Sequence, residues 1–237
     1  PMFTPTQEFP FAGPPTTGCA IALAEARHAA AGPKDLLLVL EERVGPVRCA
    51  VKLRDNGASF AEFAAPKLAA PAGPDPSPET AARALGLARS DIGFENHAPT
   101  LFSAGVAFVM IPLASRQALA RARLAAADAS ATLGAAEVFV YTRAEADAPF
   151  SFRARMFAPE IGIVEDPATG SAAAAFAGVI ARFERQMNGW RTLPILQGEE
   201  MGRPSIIGLE VNVENGALAG VRIAGEAVKV SEGKLLL

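Results

Sequence analysis

One strand–turn–helix pattern occurs twice in this chain, and the repeat constrains the fold more than any other feature. The first copy runs through the apolar residues 2–5 and then residues 15–20, which open an alanine-rich stretch. The second copy runs through residues 156–159 and then residues 167–172, which open another. In both copies a Thr-Gly pair and small residues stand at the expected start of the helix. The duplication therefore indicates two similar lobes, each with a helix that follows a turn.

Two helix N-termini that face one cleft would form a site for a small carboxylate. The first N–H groups of a helix have no partner within it, and the helix dipole places positive charge at the same end. The alternative is that both are well-capped core helices without a ligand. The pattern alone leaves these two interpretations open.

Composition and charge exclude several classes of protein. The chain has 237 residues, half of them hydrophobic, which is enough for one large domain or two lobes. The net charge is −3 and no basic run occurs, so nucleic acid is not an expected partner. No apolar stretch approaches the roughly 18 residues that cross a bilayer, and we expect no membrane partner. Cys19 and Cys49 lack metal-ligand spacing and call for no disulfide, which favours the cytoplasm and predicts no metal.

The two copies of the repeat differ in what precedes them. The chain begins with Pro1 in an apolar, strand-like segment, whereas a further strand at residues 138–141 precedes the second copy. This difference predicts that the protein has an N-terminal portion upstream of the residues given.

The elements predicted along the chain are mostly short strands. Helices are expected at residues 17–30, 78–85, 116–124 and 171–187. Strands are expected at residues 36–40, 47–53, 59–63, 106–111, 137–141, 150–157, 193–197, 205–211, 221–224 and 227–230. The proline-rich residues 66–78 form a surface connector, because proline cannot join the centre of a sheet. Many short strands with few helices indicate an α+β fold.

Several motifs together resemble one known family. The first turn is similar at residues 3–5 and 8–13, and the second at residues 155–172, which contain the run Glu-Asp-Pro-Ala-Thr-Gly-Ser. Residues 197–205 and the strand at residues 105–113 match further parts of the pattern. Over nearly its whole length the chain resembles the PhzF family, the phenazine-biosynthesis-type isomerases with the diaminopimelate-epimerase fold.

The resemblance implies a fold and an activity. It implies two pseudo-symmetric lobes, each a barrel-like sheet around a central helix, at residues 1–91 and 92–237. The last strand, at about residues 233–237, is expected to cross back to the first lobe. The implied activity is a cofactor-independent isomerisation of a small carboxylic acid, by acid/base proton transfer at carbon. A homodimer is the expected assembly.

The second turn carries the implied catalytic residue. Carried over from the family, Asp166 is expected to bind a substrate amine or hydroxyl or to transfer a proton, although it could also be a plain helix cap. Thr169, Gly170 and Ser171 are expected to hold the substrate carboxylate. We expect a structural or solvent-facing role for Glu165.

The first turn departs from the family. Pro14 stands where a histidine commonly follows Phe-Ala-Gly, and proline removes both the imidazole and a backbone N–H. Gly13, Thr17 and Gly18 still match and are expected to form an anion-binding turn. The implied acid–base glutamate, in a Ser-Glu motif upstream of this turn, does not occur in the residues given, so we expect these residues alone to be inactive.

Two alternatives to catalysis by the missing glutamate remain. The chain could be a non-catalytic or vestigial member that keeps the acid-binding cleft, which Pro14 favours. It could also be a thiol-dependent racemase or epimerase that uses Cys19, although the second turn offers no second cysteine. His28 and His97 are interpreted as structural or solvated.

Overall fold

The computed structural model describes residues 2–3, 8–9, 13–28, 32–42, 45–55, 57–124, 129–184 and 188–233. The helices of these residues are α1 Gly13–His28, α2 Pro78–Ala84, α3 Arg116–Arg121, α4 Ala129–Leu133 and α5 Gly170–Phe183. The first strands are β1 Met2–Phe3, β2 Glu8–Phe9, β3 Lys34–Glu42, β4 Gly45–Leu53, β5 Ser59–Ala64, β6 Ala70–Pro71, β7 Thr100–Ser103 and β8 Ala107–Pro112. The later strands are β9 Glu137–Arg143, β10 Phe152–Ala158, β11 Ile163–Asp166, β12 Gly189–Thr192, β13 Ile195–Gln197, β14 Ser205–Glu214 and β15 Ala217–Ala227.

One large sheet connects most of the described strands. Its order is β3-β4-β5-β15-β14-β13-β10-β9-β8-β7-β6, with β11 paired to β10 and β12 paired to β14. The β10–β13 and β8–β9 pairs are parallel, and the other pairs are antiparallel. The small strand β6, from the proline-rich connector, lies at the end of this order, where an edge position tolerates proline.

The helices α1 and α5 pack against the sheet and share one core. Helix α1 contacts β3, β4, β5 and β15, and α5 contacts β7, β8, β14 and β15. Residues from both helices belong to a single cluster of buried apolar side chains. A second cluster holds α2, α3 and α4 against β8 and β9. The alanine run of α5 is fully buried, which a helix enclosed by strands requires because only small side chains leave room for close approach.

Most predicted elements are present, and their ends show where local signals failed. Helix α1 begins at Gly13 rather than at residue 17, and α5 ends at Phe183 rather than at residue 187. The strand predicted at residues 221–224 is part of a longer one, because β15 runs from Ala217 to Ala227, and the separate strand predicted at residues 227–230 is wrong. Asn215 and Gly216 have positive φ angles of 52° and 78° and close a tight hairpin, and antiparallel pairing continues from it along β14 and then along β5.

The lobe boundary at residues 91 and 92 stays a prediction. Strand β15, far beyond that boundary, pairs with β5, so the sheet runs through both parts of the chain. The strand expected at residues 233–237 lies, from residue 234 on, outside the described residues. No helix in the described ranges is long and apolar enough to cross a membrane.

Candidate functional site

The second turn lies between β11 and α5. Strand β10 pairs with β11 through Met156 and Asp166, which fixes where the turn begins. Thr169 is the N-cap residue of α5, and its carbonyl accepts the first helical hydrogen bond from the N–H of Ala173, at 3.0 Å. The N–H groups of Gly170 and Ser171 therefore have no acceptor within the helix, and this end of α5 can bind an anion.

The Asp166 carboxylate lies at this helix start. Its Oδ2 accepts a hydrogen bond of 2.6 Å from the Thr169 hydroxyl. Burial raises the pKa of Asp166 above its ordinary value, while the Thr169 hydrogen bond and the positive charge of Arg203 oppose that rise. A half-buried carboxylate held in this way can exchange a proton with a bound ligand.

Glu165, the neighbour of Asp166, has a structural role. Its two oxygens bind the Arg155 guanidinium at 2.8 and 2.9 Å, in a two-pronged ion pair that is almost wholly buried. Arg155 also donates to the carbonyls of Leu119 and Ala122 at the end of α3. The pair therefore ties the second turn to α3, and one of the two roles expected for Glu165 is confirmed.

The first turn offers fewer N–H groups. Because α1 begins at Gly13, the N–H groups that precede the first helical hydrogen bond are those of residues 13–15. Pro14 and Pro15 have no N–H at all. Thr17 and Gly18 lie one turn further into the helix than expected, so their N–H groups have acceptors in the helix. The Thr16 hydroxyl donates to Glu42 at 2.6 Å and ties α1 to β3.

A cavity of about 680 Å³ opens between the two helices. Thr17 and Gly18 of α1 line one side, and Ala168 and Gly170 at the start of α5 line another. Asp166, Thr169 and Ser171 are not among the described residues that line it. Several of its walls are apolar, formed by Phe60, Pro194, Ile206, Ile207 and Ile223. The structure thus brings parts of both predicted turns to one cavity.

Gln197 is a polar residue of this site whose role sequence reasoning missed. It is fully buried on β13 and binds the second turn through both ends of its amide. The next residue, Gly198, has a φ of 81°, and a Cβ there would lie 2.8 Å from the carbonyl oxygen of Pro167. Only glycine permits this approach, so the Gln-Gly pair of the family motif was the signal that could have indicated packing against the turn.

The other candidate residues lie elsewhere. His97 is buried, with Nδ1 3.0 Å from the Tyr141 hydroxyl and Nε2 3.3 Å from Glu184, so its structural interpretation agrees with its position. Cys19 is exposed on α1, and burial raises the pKa of Cys49 to about 11. Within the described ranges no group of histidine, cysteine and acidic side chains could hold a metal ion.

Comparison with known proteins agrees with this architecture. Residues 2–233 match the family described as phenazine biosynthesis-like protein. An uncharacterized isomerase of Mesorhizobium japonicum is 49% identical, over 100% of this chain and 79% of the relative. Trans-2,3-dihydro-3-hydroxyanthranilate isomerase of Pseudomonas aeruginosa is 34% identical, over 100% of this chain and 78% of the relative. The crystal structure of a PhzF-family phenazine biosynthesis protein of Bacillus anthracis has a TM-score of 0.82 and 24% identity, over 99% of this chain and 79% of that chain.

The fold is of the diaminopimelate-epimerase-like α+β class, as the sequence predicted. The chain belongs to the phenazine biosynthesis-like family, also called the PhzF family, and the resemblance read from its motifs is confirmed. The relatives reported above are named as isomerases, which places this chain in a family of isomerases.

Proposed function

We propose that the protein is a cofactor-independent isomerase of a small carboxylic acid. In this reaction a proton leaves one carbon of the substrate and returns at another position. The observation that carries the proposal is the second turn, where the Asp166 carboxylate lies beside the open N–H groups of α5. The proposed anion site and the proposed proton-transfer group would thus lie within six residues of chain, 166–171.

Each residue of the two turns has a proposed role. The N–H groups of Gly170 and Ser171, with Thr169, would hold the substrate carboxylate by hydrogen bonds and by the helix dipole. Asp166 would move the proton, together with the glutamate that the family resemblance implies. Gly13, Thr17 and Gly18 would contact the substrate from the first turn.

The walls of the cavity point to the remainder of the substrate. Phe60, Ile206 and Ile223 present apolar surface, and the charged group that lines it, Glu226, is paired with Arg54 at 2.7 Å. A substrate whose carboxylate binds at α5 would therefore place a hydrocarbon ring or chain against these walls. Trans-2,3-dihydro-3-hydroxyanthranilate, the compound in the name of the Pseudomonas aeruginosa relative, is the first member of a test panel.

The test is proton exchange by the complete protein. Incubation with a panel of small acids in heavy water should incorporate deuterium at carbon, measured by mass spectrometry. Asp166→Asn should lower the rate by roughly a hundredfold or more, the usual contribution of a positioned acid–base group. Asp147→Asn, a matched change at an exposed position, should leave it unaltered. Absence of exchange with every acid would refute the proposal.

A second candidate is a member that binds acids without turning them over. The observation that favours it is the pair Pro14 and Pro15 in the first turn of α1, which removes two N–H groups and the family's histidine together. Under this proposal the native protein binds small acids in a calorimeter without exchange, and Pro14→His creates exchange. Exchange by the native protein would exclude it.

The assembly and location also stay predictions. We expect a homodimer and a cytoplasmic protein, which sedimentation and fractionation of the complete protein would test.

A further inference from the structure

Gln197 connects two parts of the second turn that the proposed reaction uses. Its Oε1 accepts a hydrogen bond of 3.2 Å from the N–H of Thr169. Its Nε2 donates to the carbonyl oxygen of Asp166 at 2.7 Å and to the Thr169 hydroxyl at 2.9 Å. The three hydrogen bonds of this one buried side chain therefore connect residues 166 and 169 of the turn.

The chemistry of the partners fixes the orientation of this amide. A backbone N–H can only donate and a backbone carbonyl can only accept, so the Gln197 oxygen must face Thr169 and its nitrogen must face Asp166. The alternative assignment, with oxygen and nitrogen exchanged, would break both bonds. The amide nitrogen is consequently a donor to the Thr169 hydroxyl.

The direction of the next hydrogen bond follows from this. Because the Thr169 oxygen accepts a hydrogen bond from Gln197, the single hydroxyl proton of Thr169 is directed at Oδ2 of Asp166, 2.6 Å away. Among the described residues, no donor contacts Oδ1 of Asp166. The two carboxylate oxygens therefore differ: Oδ2 accepts a hydrogen bond within the turn, and Oδ1 accepts none from the described residues.

The support behind Gln197 is rigid. Strand β13 is hydrogen-bonded on both sides, with Gln197 opposite Ala154 of β10 and Ser205 of β14. Gly198 packs directly on Pro167 in the turn. A side chain held between two strands can keep its amide in one orientation, as a positioning group requires.

We propose that Gln197 is a positioning residue that directs the Thr169 hydroxyl to Oδ2 of Asp166 and so presents Oδ1 to the substrate. The inference rests on the proposed proton-transfer role of Asp166. A hydrogen bond to the ionised carboxylate favours the ionised form and opposes the effect of burial. The two successive hydrogen bonds from Gln197 to Thr169 and from Thr169 to Asp166, here called the relay, therefore favour Asp166 as a base. Thr169 makes no side-chain capping bond to α5, which leaves its hydroxyl to this relay.

The test is a double-mutant cycle read by the titration of Asp166. Carbon-13 NMR of the side-chain carboxyl gives its pKa in the complete protein and in Gln197→Met, Thr169→Val and the double variant. We expect each single change to raise the pKa of Asp166. The double variant should have the same pKa as Thr169→Val alone, since Gln197 acts through the hydroxyl, and Thr169→Ser should restore the native value.

Two results would overturn the relay. One is additive shifts in the double variant, which would mean that Gln197 acts on Asp166 independently of Thr169. The other is an unchanged pKa in Gln197→Met. If that variant does not fold, the same question is tested in the native protein. There the NMR resonances of the Gln197 Nε2 protons should shift with the same pKa as the Asp166 carboxyl. Resonances that do not change with pH would contradict the proposal.

The cycle separates this inference from the proposed function. If the relay and the isomerase are both correct, the acidic limb of the pH profile of exchange moves upward in Thr169→Val by as much as the NMR pKa. If the NMR cycle behaves as expected while the native protein shows no exchange, the relay stands and the isomerase fails. If exchange occurs but the cycle is additive, the isomerase stands and the positioning role fails.

Discussion

The two helices that follow the repeated turns differ in how completely the sheet covers them. In α5 every residue from Ala172 to Ile180 is buried, because strands from both parts of the chain surround the helix. Helix α1 packs on one side against β3, β4 and β5, and exposes residues such as Cys19 and Leu23 on the other. The same sequence pattern therefore precedes an enclosed helix at α5 and a more exposed one at α1.

The charged side chains show the same contrast. Near α5, the ion pairs Arg155–Glu165 and Arg143–Glu184 involve carboxylates that are mostly buried. On the sheet beside α1, Arg54 and Glu226 pair at 2.7 Å with about half of each side chain exposed. Water screens the exposed pair, so the stability of the molecule should depend far more on the charges around α5.

The largest expected effect comes from breaking the Arg155–Glu165 pair. Glu165→Ala leaves the Arg155 guanidinium buried without its carboxylate, which should lower the free energy of unfolding by about 3–5 kcal/mol. Glu226→Ala, the matched change in the exposed pair, should cost less than about 1 kcal/mol. Urea denaturation of both variants measures the difference. Equal losses would show that burial does not separate the two pairs.

Acid should weaken the structure through Glu184. The His97 ring and the Arg143 guanidinium lower the pKa of Glu184 from 4.5 to about 2, against the effect of burial. A carboxylate whose pKa is lower in the folded than in the unfolded protein stabilises the fold at pH values above its unfolded pKa. That stabilisation is lost as the pH falls through its folded pKa. The free energy of unfolding should thus fall by about 3 kcal/mol between about pH 4.5 and pH 2.

Glu184→Gln tests the assignment of this acid transition. The variant should be less stable than the native protein at neutral pH. Its free energy of unfolding should also change much less with pH between about pH 4.5 and pH 2. Guanidinium or urea titrations at several pH values measure both. If the free energy of unfolding of the variant depends on pH as it does in the native protein, other carboxylates cause the acid transition.

The sequence predicted α1, α2, α3 and α5 and most of the longer strands because their signals are local, and it missed the short helix α4. Ser77 followed by Pro78 marks the start of α2, and the Ser77 hydroxyl accepts from the N–H of Thr80 as a capping residue should. Strand β7, Thr100–Ser103, escaped prediction because it is short and gains its stability from β8 beside it. The Asn215-Gly216 turn was a local signal that the prediction did not use.

The site was predictable in part for a related reason. The second turn, with Asp166 and Thr169, is a contiguous run, so its residues could be named from the chain alone. Gln197 lies 28 residues beyond Thr169 and reaches it only because β13 pairs in parallel with β10. His97, Tyr141 and Glu184 likewise meet through long-range packing. Such contacts depend on the sheet order, which no local pattern specifies.

A moderate effect is expected from Gly178, inside the enclosed helix. A methyl group at this position would overlap the ring of Phe102, which is itself buried. Gly178→Ala should therefore destabilise the protein by about 1–3 kcal/mol, the usual cost of overpacking, despite the better helix propensity of alanine. Thermal unfolding followed by circular dichroism measures it. A neutral or stabilising result would show that α5 is less tightly enclosed than the contacts indicate.

The smallest effect is expected from the equivalent change in α1, and its sign should be opposite. Gly18 lies within α1, and among the described residues no side chain beyond its two neighbours lies within 4 Å of where its Cβ would be. Gly18→Ala then gains helix propensity without a clash, and should raise the free energy of unfolding by about 0.5–1 kcal/mol. The same thermal unfolding experiment compares the two alanine variants. A destabilised Gly18→Ala would mean that α1 is as closely packed as α5, and the contrast between the two helices would fail.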